Sequence, residues 1–248
     1  MKVTIDINCD MVEGVGNEKE LMPFISSANI ACGYHAGNEE LMKETIDLCL
    51  KYNVTIGAHP SFPDRENFGR TYMSIPLVEV SKIVADQIEM LKNIADTQGA
   101  RLHHVKPHGA LYNMAAKDSA LANCIASAIK ILDANLVLYG LSQSAMISEA
   151  QKVNLKVANE VFADRTYQLD GSLTPRTQPN ALITNEQDAI SQAIRFAKEN
   201  KVNAVDGVDI ELKADTICLH GDGAHAVDFA RLIYSRFKVE QIKIQAFN

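Results

Sequence analysis

Short apolar runs alternate along the chain with longer segments in which apolar residues recur at helical spacing. The short runs predict strands over residues 2–8, 28–31, 54–59, 101–106, 136–140, 156–161 and 216–220. Runs of this length, bounded by turn-forming residues, are typical of buried strands.

The segments between the strands predict helices. Asn38 is a candidate N-cap for one helix, whose apolar side we expect to comprise Leu41, Thr45, Leu48 and Leu50. A longer helix is predicted over 76–97, with Ile83, Gln87, Leu91 and Ile94 on its buried side. Further helices are predicted over 18–25, 118–131, 142–152, 186–201 and 224–237, and an extended loop over 170–183.

A strand followed by a helix, repeated about seven times, predicts a parallel sheet with helices outside it. Over 248 residues, a single domain (1–248) built as a closed βα barrel of the TIM type is the favoured architecture. An open, doubly wound sheet is the alternative. The chain lacks both G-x-G-x-x-G and G-x-x-x-x-G-K-[ST], which argues against a Rossmann or P-loop site.

Charge and cysteine content narrow the class of protein. The formal net charge of −7 disfavours nucleic acid as a partner. No window of eighteen apolar residues occurs, so we expect no membrane span. The five cysteines form no C-x-x-C pair, and no secretory signal precedes the first strand, so we expect reduced thiols and a cytoplasmic location.

Polar side chains cluster in the segments where the predicted strands end. They include Asp6, Asn8, Asp10 and Glu13 at the first strand, Asn29 and His35 at the second, His59 and Arg70 at the third, Lys106 and His108 at the fourth, Asp164 and Arg165 at the sixth, and His220 and Asp222 at the last. In parallel α/β folds the carboxyl ends of the strands converge and bind ligands. This placement predicts an enzyme or a small-molecule binder.

Three kinds of chemistry fit these residues. A divalent metal could be bound by Asp6, Asp10, His35 and His59. Carboxylates and histidines could instead act as acids and bases, with Lys106 neutralising developing negative charge. Arg70, Arg165 and Arg176 could bind phosphate together with Lys106, with Mg²⁺ on a carboxylate. Each group also has a purely structural explanation, such as a cap, a buried histidine or a surface ion pair.

Six ordered segments resemble the LamB/YcsF family: DINCDMVEGVGNE, SSANIACGYHAGN, IGAHPSFPDRENFGR, HVKPHGALYN, EVFADRTYQLDGSLTPR and CLHGD. The resemblance extends from the first strand to the last. A small departure is Met11-Val12, where the family more often has a Leu-Gly pair. The resemblance implies a modified, often seven-stranded βα barrel of the glycoside hydrolase/deacetylase type.

The resemblance also implies the activity of the A subunit of bacterial 5-oxoprolinase. That enzyme cleaves 5-oxo-L-proline to L-glutamate, hydrolyses ATP to ADP and phosphate, and requires partner subunits B and C. For such a reaction the candidate catalytic residues are Asp10, Glu13, His59, Lys106 and His108. The candidate substrate- or phosphate-binding residues are Asn8, Asn29, His35, Arg70, Asp164, Arg165, Arg176, His220 and Asp222.

Two other functions remain open at this point. The Asp and His residues at the strand ends, together with the implied fold, also suit a metal-dependent deacetylase or amide hydrolase that acts alone. A non-catalytic subunit or sensor that binds the ligand while its partners perform the chemistry is the third possibility. The sequence leaves open whether the chain forms a homo-oligomer.

Overall fold

Ten strands and eight α-helices occur in the computed structural model, which describes residues 3–219 and 226–248. The strands are β1 (Thr4–Met11), β2 (Ser27–Ala31), β3 (Thr55–His59), β4 (Leu102–Val105), β5 (Val137–Leu141), β6 (Lys156–Phe162), β7 (Lys201–Asn203), β8 (Asp209–Glu211), β9 (Thr216–Leu219) and β10 (Lys243–Ile244). The helices are α1 (Glu18–Leu21), α2 (Glu39–Tyr52), α3 (Leu77–Thr97), α4 (Gly109–Ala115), α5 (Ser119–Leu132), α6 (Ala145–Lys152), α7 (Glu186–Glu199) and α8 (Ala226–Val239).

Seven parallel strands close into a barrel in the order β1-β2-β3-β4-β5-β6-β9, with β9 pairing back onto β1. The register of the closing pair aligns Asp6 with Thr216 and Asn8 with Cys218. The predicted closed parallel barrel is therefore confirmed, and the open sheet is excluded. Within the described residues, no helix is both long enough and apolar enough to cross a membrane.

Helix α3 shows how the helical layer is anchored to the barrel. Its predicted buried side is confirmed, because Ile83, Gln87, Leu91 and Ile94 are all buried. Gln87 is polar, and its side chain is satisfied by the backbone that follows β3. Its Nε2 donates to Ser61 O at 2.9 Å and its Oε1 accepts from Ser61 N at 3.0 Å. The helix thereby fixes the loop that follows His59.

The predicted apolar side of α2 is wrong in part. Asn38 caps the helix as expected, accepting from Leu41 N at 2.9 Å. However, Leu41 and Leu50 are exposed. The residues that pack inward are Met42, Thr45, Ile46 and Cys49. This set follows the i, i+3, i+4, i+7 spacing of a single helical face. The predicted set, three leucines and Thr45, does not follow that spacing.

Several boundaries differ from those predicted. Residues 142–144 form a turn, so α6 begins only at Ala145. The segment after β4 contains the short helix α4, and residue 201 begins β7, which pairs with β8 in an antiparallel hairpin. Segments this short carry too little periodicity to be recognised from the pattern of apolar residues. The predicted loop over 170–183 is confirmed as irregular.

The interior of the barrel is polar. Along β1, Ile5 and Ile7 pack into the apolar core, whereas Asp6, Asn8 and Asp10 bond to polar side chains inside the barrel. Asp6 accepts hydrogen bonds from Ser26, Ser27 and Thr216 at 2.5–2.7 Å. Because side chains on a strand alternate between its two faces, the even-numbered positions of β1 lie inside the barrel.

Gly57 leaves room for a buried imidazole in this interior. A Cβ atom at Gly57 would overlap the ring of His104. That ring bonds to Asn29 Oδ1 through Nε2 at 2.7 Å and stacks on Tyr139 with 4.1 Å between ring centroids. A side chain at position 57 would therefore displace His104 from both partners.

We predict that Gly57→Ala destabilises the protein, because overpacking of a filled core costs about 1–3 kcal/mol. In a His104→Ala background the same change should cost clearly less, because the space is vacant. Urea denaturation of the four proteins of this double-mutant cycle measures the coupling. An equal cost of Gly57→Ala in both backgrounds would contradict the proposed overlap.

Candidate functional site

A cavity of about 860 Å³ opens at the carboxyl end of the barrel strands. Its floor includes Asp10, His59, Lys106 and Phe162, which lie at or just beyond the ends of four different strands. The loop over 170–177 forms another part of its wall. The volume falls within the range of small-molecule sites.

Lys106 is the charged centre of the floor. Its Nζ lies 2.9 Å from Asp10 Oδ1 and 2.8 Å from Glu160 Oε1. It also donates to Asn8 Oδ1 at 3.1 Å and to Cys218 Sγ at 3.1 Å. Only 3% of the Lys106 side chain is exposed. The ammonium is therefore neutralised by the protein itself.

These contacts fix the charge states of the pair. Burial alone would lower the pKa of Lys106, but its neighbours, Asp10 first among them, raise it well above its usual value. Burial alone would raise the pKa of Asp10, but His59 and Lys106 hold it well below its usual range. At neutral pH the floor thus presents an ionised carboxylate paired with an ammonium.

Three histidines and a carboxylate meet beside Asp10. One potential ligand atom from each of Glu13, His35, His59 and His108 lies within 4.8 Å of the others. Glu13 Oε1 is 3.1 Å from His35 Nε2 and 3.2 Å from His108 Nδ1. Burial alone would raise the pKa of Glu13, but hydrogen bonds from His108 and His35 lower it to about 2. We call these four residues the Glu–His cluster.

Backbone carbonyls fix the tautomers of two histidines in this cluster. His59 Nδ1 lies 2.6 Å from Lys106 O, and His108 Nε2 lies 3.0 Å from Phe68 O. Since a carbonyl oxygen only accepts, both of these nitrogens carry protons. The remaining nitrogens, His59 Nε2 and His108 Nδ1, face each other at 2.9 Å. In neutral rings both would be lone pairs, so the contact needs a cation between them.

The loop after β3 and the start of α4 hold these histidines together. Ala110 N donates to Gly69 O at 2.9 Å, and a Cβ on Gly109 would approach that oxygen to 2.5 Å. Gly109 also has a φ of +57°, so both its conformation and its contact require glycine. Gly109, the first residue of α4, thereby seats His108 against the neighbouring loop.

The turn that carries Glu13 contains a strained residue. Val12 has a φ of +67°, which is rare for a β-branched side chain and costs about 1–2 kcal/mol. Its N–H donates to Glu18 Oε1 at 3.1 Å, which helps to hold the conformation. The backbone keeps a conformation that glycine adopts without strain.

Most of the predicted site residues are brought together. The cavity is lined by Asp10, Glu13, His59, Arg70, Lys106, His108, Arg165 and Arg176. His35 lies behind Glu13 with its ring stacked on His108, with 3.8 Å between centroids. Asn8 and Asn29 lie deeper in the barrel, where Asn29 Nδ2 donates to Asn8 Oδ1 and Asp10 Oδ1 at 2.7 Å. Through these bonds, and through the bond from Lys106 Nζ to Asn8 Oδ1, the two asparagines hold Asp10 and Lys106 in place.

Other predicted residues lie elsewhere. Asp6 is four residues before Asp10 on β1, about 13 Å along the strand, so it cannot share a metal with His35 or His59. Asp164 is absent from the described lining of the cavity. Arg165 reaches the lining, but its guanidinium donates to Thr174 O and Ala181 O and so supports the 170–183 loop. His220 and Asp222 lie outside the described residues.

Sequence reasoning gave no role to Glu160 and left Tyr112 unassigned. Glu160 is fully buried, pairs with Lys106, and accepts from Tyr112 Oη at 2.6 Å. The signal available was Glu160 itself, an acidic residue inside the apolar run of β6. Its partner could not be identified, because the two residues are 54 positions apart and meet only when the barrel closes.

One family model, a curated relative and a solved structure all match nearly the whole chain. The LamB/YcsF family model matches residues 5–248. The A subunit of 5-oxoprolinase from Oceanobacillus iheyensis is 51% identical over 250 residues, covering 99% of this chain and 97% of that protein. A lactam utilization protein from Thermus thermophilus is 38% identical with a TM-score of 0.94, covering 98% of this chain and 100% of that one.

A more distant solved structure shares the fold alone. The peptidoglycan deacetylase PdaC from Bacillus subtilis is 13% identical with a TM-score of 0.50, covering 98% of this chain and 87% of that one. The expected modified, seven-stranded barrel of the deacetylase type is therefore confirmed.

We predict that Lys106→Met lowers the free energy of unfolding by about 3–5 kcal/mol, because it leaves the carboxylates of Asp10 and Glu160 buried without their cation. Adding Glu160→Gln should restore part of this loss. Since the pKa of Asp10 is depressed in the folded protein, the loss should be complete above the pKa of an unfolded Asp, near 4, and should shrink as the pH falls through the folded value.

Urea denaturation at several pH values measures these effects. The matched control is Lys92→Met, which removes a surface ion pair with Asp96 and should change stability by no more than about 0.5 kcal/mol. Equal stabilities of the Lys106 and Lys92 variants would show that the buried charge is not structurally important.

Proposed function

The chain belongs to the LamB/YcsF family, and we propose that it acts as the A subunit of an ATP-dependent 5-oxoprolinase. The observation that carries this proposal is the match, over nearly the whole length of both chains, to a protein named as that subunit. Relatives of the same name from Bacillus cereus and Shouchella clausii match over a similar span. The reaction would convert 5-oxo-L-proline to L-glutamate while ATP becomes ADP and phosphate.

The charges of the cavity suit such a substrate. 5-Oxoproline offers an anionic carboxylate and a lactam carbonyl. Arg70 and Arg176 line the cavity and could meet a carboxylate or a phosphate. We assign anion binding to these two arginines because they line the cavity, and a floor-organising role to Lys106, whose ammonium contacts Asp10 and Glu160. Asp10, Glu13, His59 and His108 then lie beside the reacting amide.

Coupling to ATP follows from the chemistry of the lactam. An amide in a five-membered ring is a poor electrophile. Transfer of the γ-phosphoryl group of ATP to the amide oxygen would release ADP and convert that oxygen into a leaving group. Water would then add to the carbon, and cleavage of the C–N bond would give γ-glutamyl phosphate with a free amine. A second water would hydrolyse this acyl phosphate to glutamate and phosphate. Asp10, ionised at neutral pH, can accept a hydrogen bond from the first water and orient it towards the carbon.

We propose that the chain works with partner subunits B and C. The designation of its relatives as one lettered component of an enzyme supports this part of the proposal. The cavity of this chain would hold the lactam at the carboxyl end of the barrel. Mg²⁺, where required, would accompany the phosphates of ATP as an oxygen-bound ion.

Reconstitution tests the proposal. The chain, combined with subunits B and C of the same organism, should release glutamate and phosphate in equal amounts from 5-oxoproline and ATP. Omission of any component or of ATP should abolish or strongly reduce release. A complete complex that hydrolyses no 5-oxoproline would refute the assignment.

We predict that Asp10→Asn lowers the turnover of that complex by about 10²-fold or more, because the ionised carboxylate that orients the attacking water is lost. Asp86→Asn, which alters an exposed ion pair with Lys82 on α3, is the matched control and should leave turnover unchanged. Circular dichroism checks that both variants are folded. If Asp10→Asn weakened the binding of 5-oxoproline and left turnover at saturation intact, the chain would serve only to bind the ligand.

The Glu–His cluster favours a second candidate, an amide hydrolase that acts alone. Histidine nitrogens and a carboxylate are the ligands of hydrolytic metal sites. This candidate requires hydrolysis of an amide by the isolated chain without ATP. The reconstitution assay separates the two functions through its arm that lacks ATP and partners.

A further inference from the structure

The contact between His59 and His108 demands a cation. Their facing nitrogens lie 2.9 Å apart, and the other nitrogen of each ring is committed to a backbone carbonyl. A proton shared by the two rings would satisfy the contact. A metal ion bound by both rings would satisfy it as well. The surrounding atoms favour the second solution.

Glu13 completes a triangle with these two nitrogens. Its Oε1 is 3.2 Å from His108 Nδ1 and 3.7 Å from His59 Nε2. Two ligands of a tetrahedral zinc ion, each about 2.0–2.1 Å from the metal, are about 3.3–3.4 Å apart. The three observed separations, 2.9, 3.2 and 3.7 Å, bracket that value. A proton on His108 Nδ1 would account for the contacts of that nitrogen with His59 and Glu13, whereas a metal ion also accounts for the 3.7 Å between Glu13 Oε1 and His59 Nε2.

The two backbone carbonyls also match the surroundings of a metal ligand. A metal-bound histidine commonly donates its other N–H to a carbonyl or carboxylate, which fixes the ring and its tautomer. Lys106 O does this for His59, and Phe68 O does it for His108. The orientation of both rings is therefore set independently of any ion.

His35 has a different role from His59 and His108, because its ring is not placed to bind the same ion. Its ring is parallel to that of His108, with an angle of 5° and 3.8 Å between centroids. A metal lies close to the plane of an imidazole that binds it, so an ion in the plane of His108 is displaced from the plane of His35. His35 Nε2 instead lies 3.1 Å from Glu13 Oε1, where it can donate to the carboxylate. It is a positioning residue for Glu13.

We propose that Glu13, His59 and His108 bind one divalent first-row transition metal ion, with His35 holding Glu13 in place. Two imidazoles and one carboxylate favour zinc, iron(II) or a related ion over Mg²⁺, which prefers oxygen ligands. All three ligands line the cavity, so an ion held by them would be accessible from the cavity. An ion there would polarise the lactam carbonyl or acidify a bound water.

The metal content of the intact chain tests this proposal directly. The protein is purified without chelators or a metal-affinity tag, and its metals are counted by plasma mass spectrometry. We expect about one transition ion per chain. After removal with a chelator, titration with Co²⁺ should produce a saturable visible absorption band at the same stoichiometry. Neither measurement depends on catalysis, so their outcome is independent of the proposed reaction.

Variants locate the ion. His59→Ala and His108→Ala should each lose it, whereas His103→Ala, which alters a histidine beside His104 on β4, should retain it. His35→Ala should weaken cobalt binding about 10- to 100-fold and still reach full occupancy at higher cobalt. Complete loss in His35→Ala would make His35 a fourth ligand and overturn its positioning role.

The wild-type protein alone can overturn the proposal, whether or not the variants fold. The proposal fails if natively folded protein carries less than about a tenth of an equivalent of any transition metal and shows no saturable cobalt band after chelation. A proton shared by His59 and His108 would then be the explanation of their contact.

Discussion

The buried charge of Lys106 is the constraint on which the rest of the site depends. An ammonium removed from water is costly unless carboxylates and further hydrogen bonds surround it. Asp10 and Glu160 supply the charges, and Asn8 and Cys218 take up the remaining contacts. These residues come from three strands, β1, β6 and β9, and Lys106 itself directly follows β4. The carboxylates of Asp10 and Glu160 therefore surround the Lys106 ammonium only when the barrel is closed.

This requirement explains the composition of the barrel interior. Most barrels of this class are filled by branched apolar residues. Here a continuous set of polar side chains runs from Asp6, held by three hydroxyl groups, through Asn8 and Asn29 to the floor of the cavity. A buried polar network stabilises a unique arrangement only when its members are satisfied. The glycine at position 57, which makes room for the ring of His104, is part of that arrangement.

The same network links the floor to the Glu–His cluster. Asp10 contacts Lys106 through one oxygen, and its other oxygen lies 3.5 Å from His59 Nε2. His59 in turn bonds to the backbone oxygen of Lys106. Lys106 thus positions a carboxylate with its side chain and an imidazole with its backbone. The segment HVKPHGALYN contributes three residues to the site: Lys106, His108 and Gly109, whose close contact with Gly69 O holds His108 in place.

The sequence sufficed for the barrel and for the location of the site, but not for its internal pairing. Alternating strands and helices predicted the closed sheet, and the strand ends predicted Asp10, Glu13, His59, Lys106 and His108 at one mouth. The inward orientation of Asp6 could not be distinguished, because nearly every position of β1 is buried on one face or the other. The Lys106–Glu160 pair depends on the register of strands around the barrel, which local patterns do not encode.

A crystal structure of the protein grown with 5-oxoproline tests the central claim, that this cavity is where the lactam binds, most directly. We expect the ring at the carboxyl end of the barrel, with its amide carbonyl beside Glu13, His59 and His108 and its carboxylate toward Arg70 or Arg176. A ligand bound outside the cavity, or one whose carboxylate contacts the Glu–His cluster while its amide faces solvent, would contradict that claim.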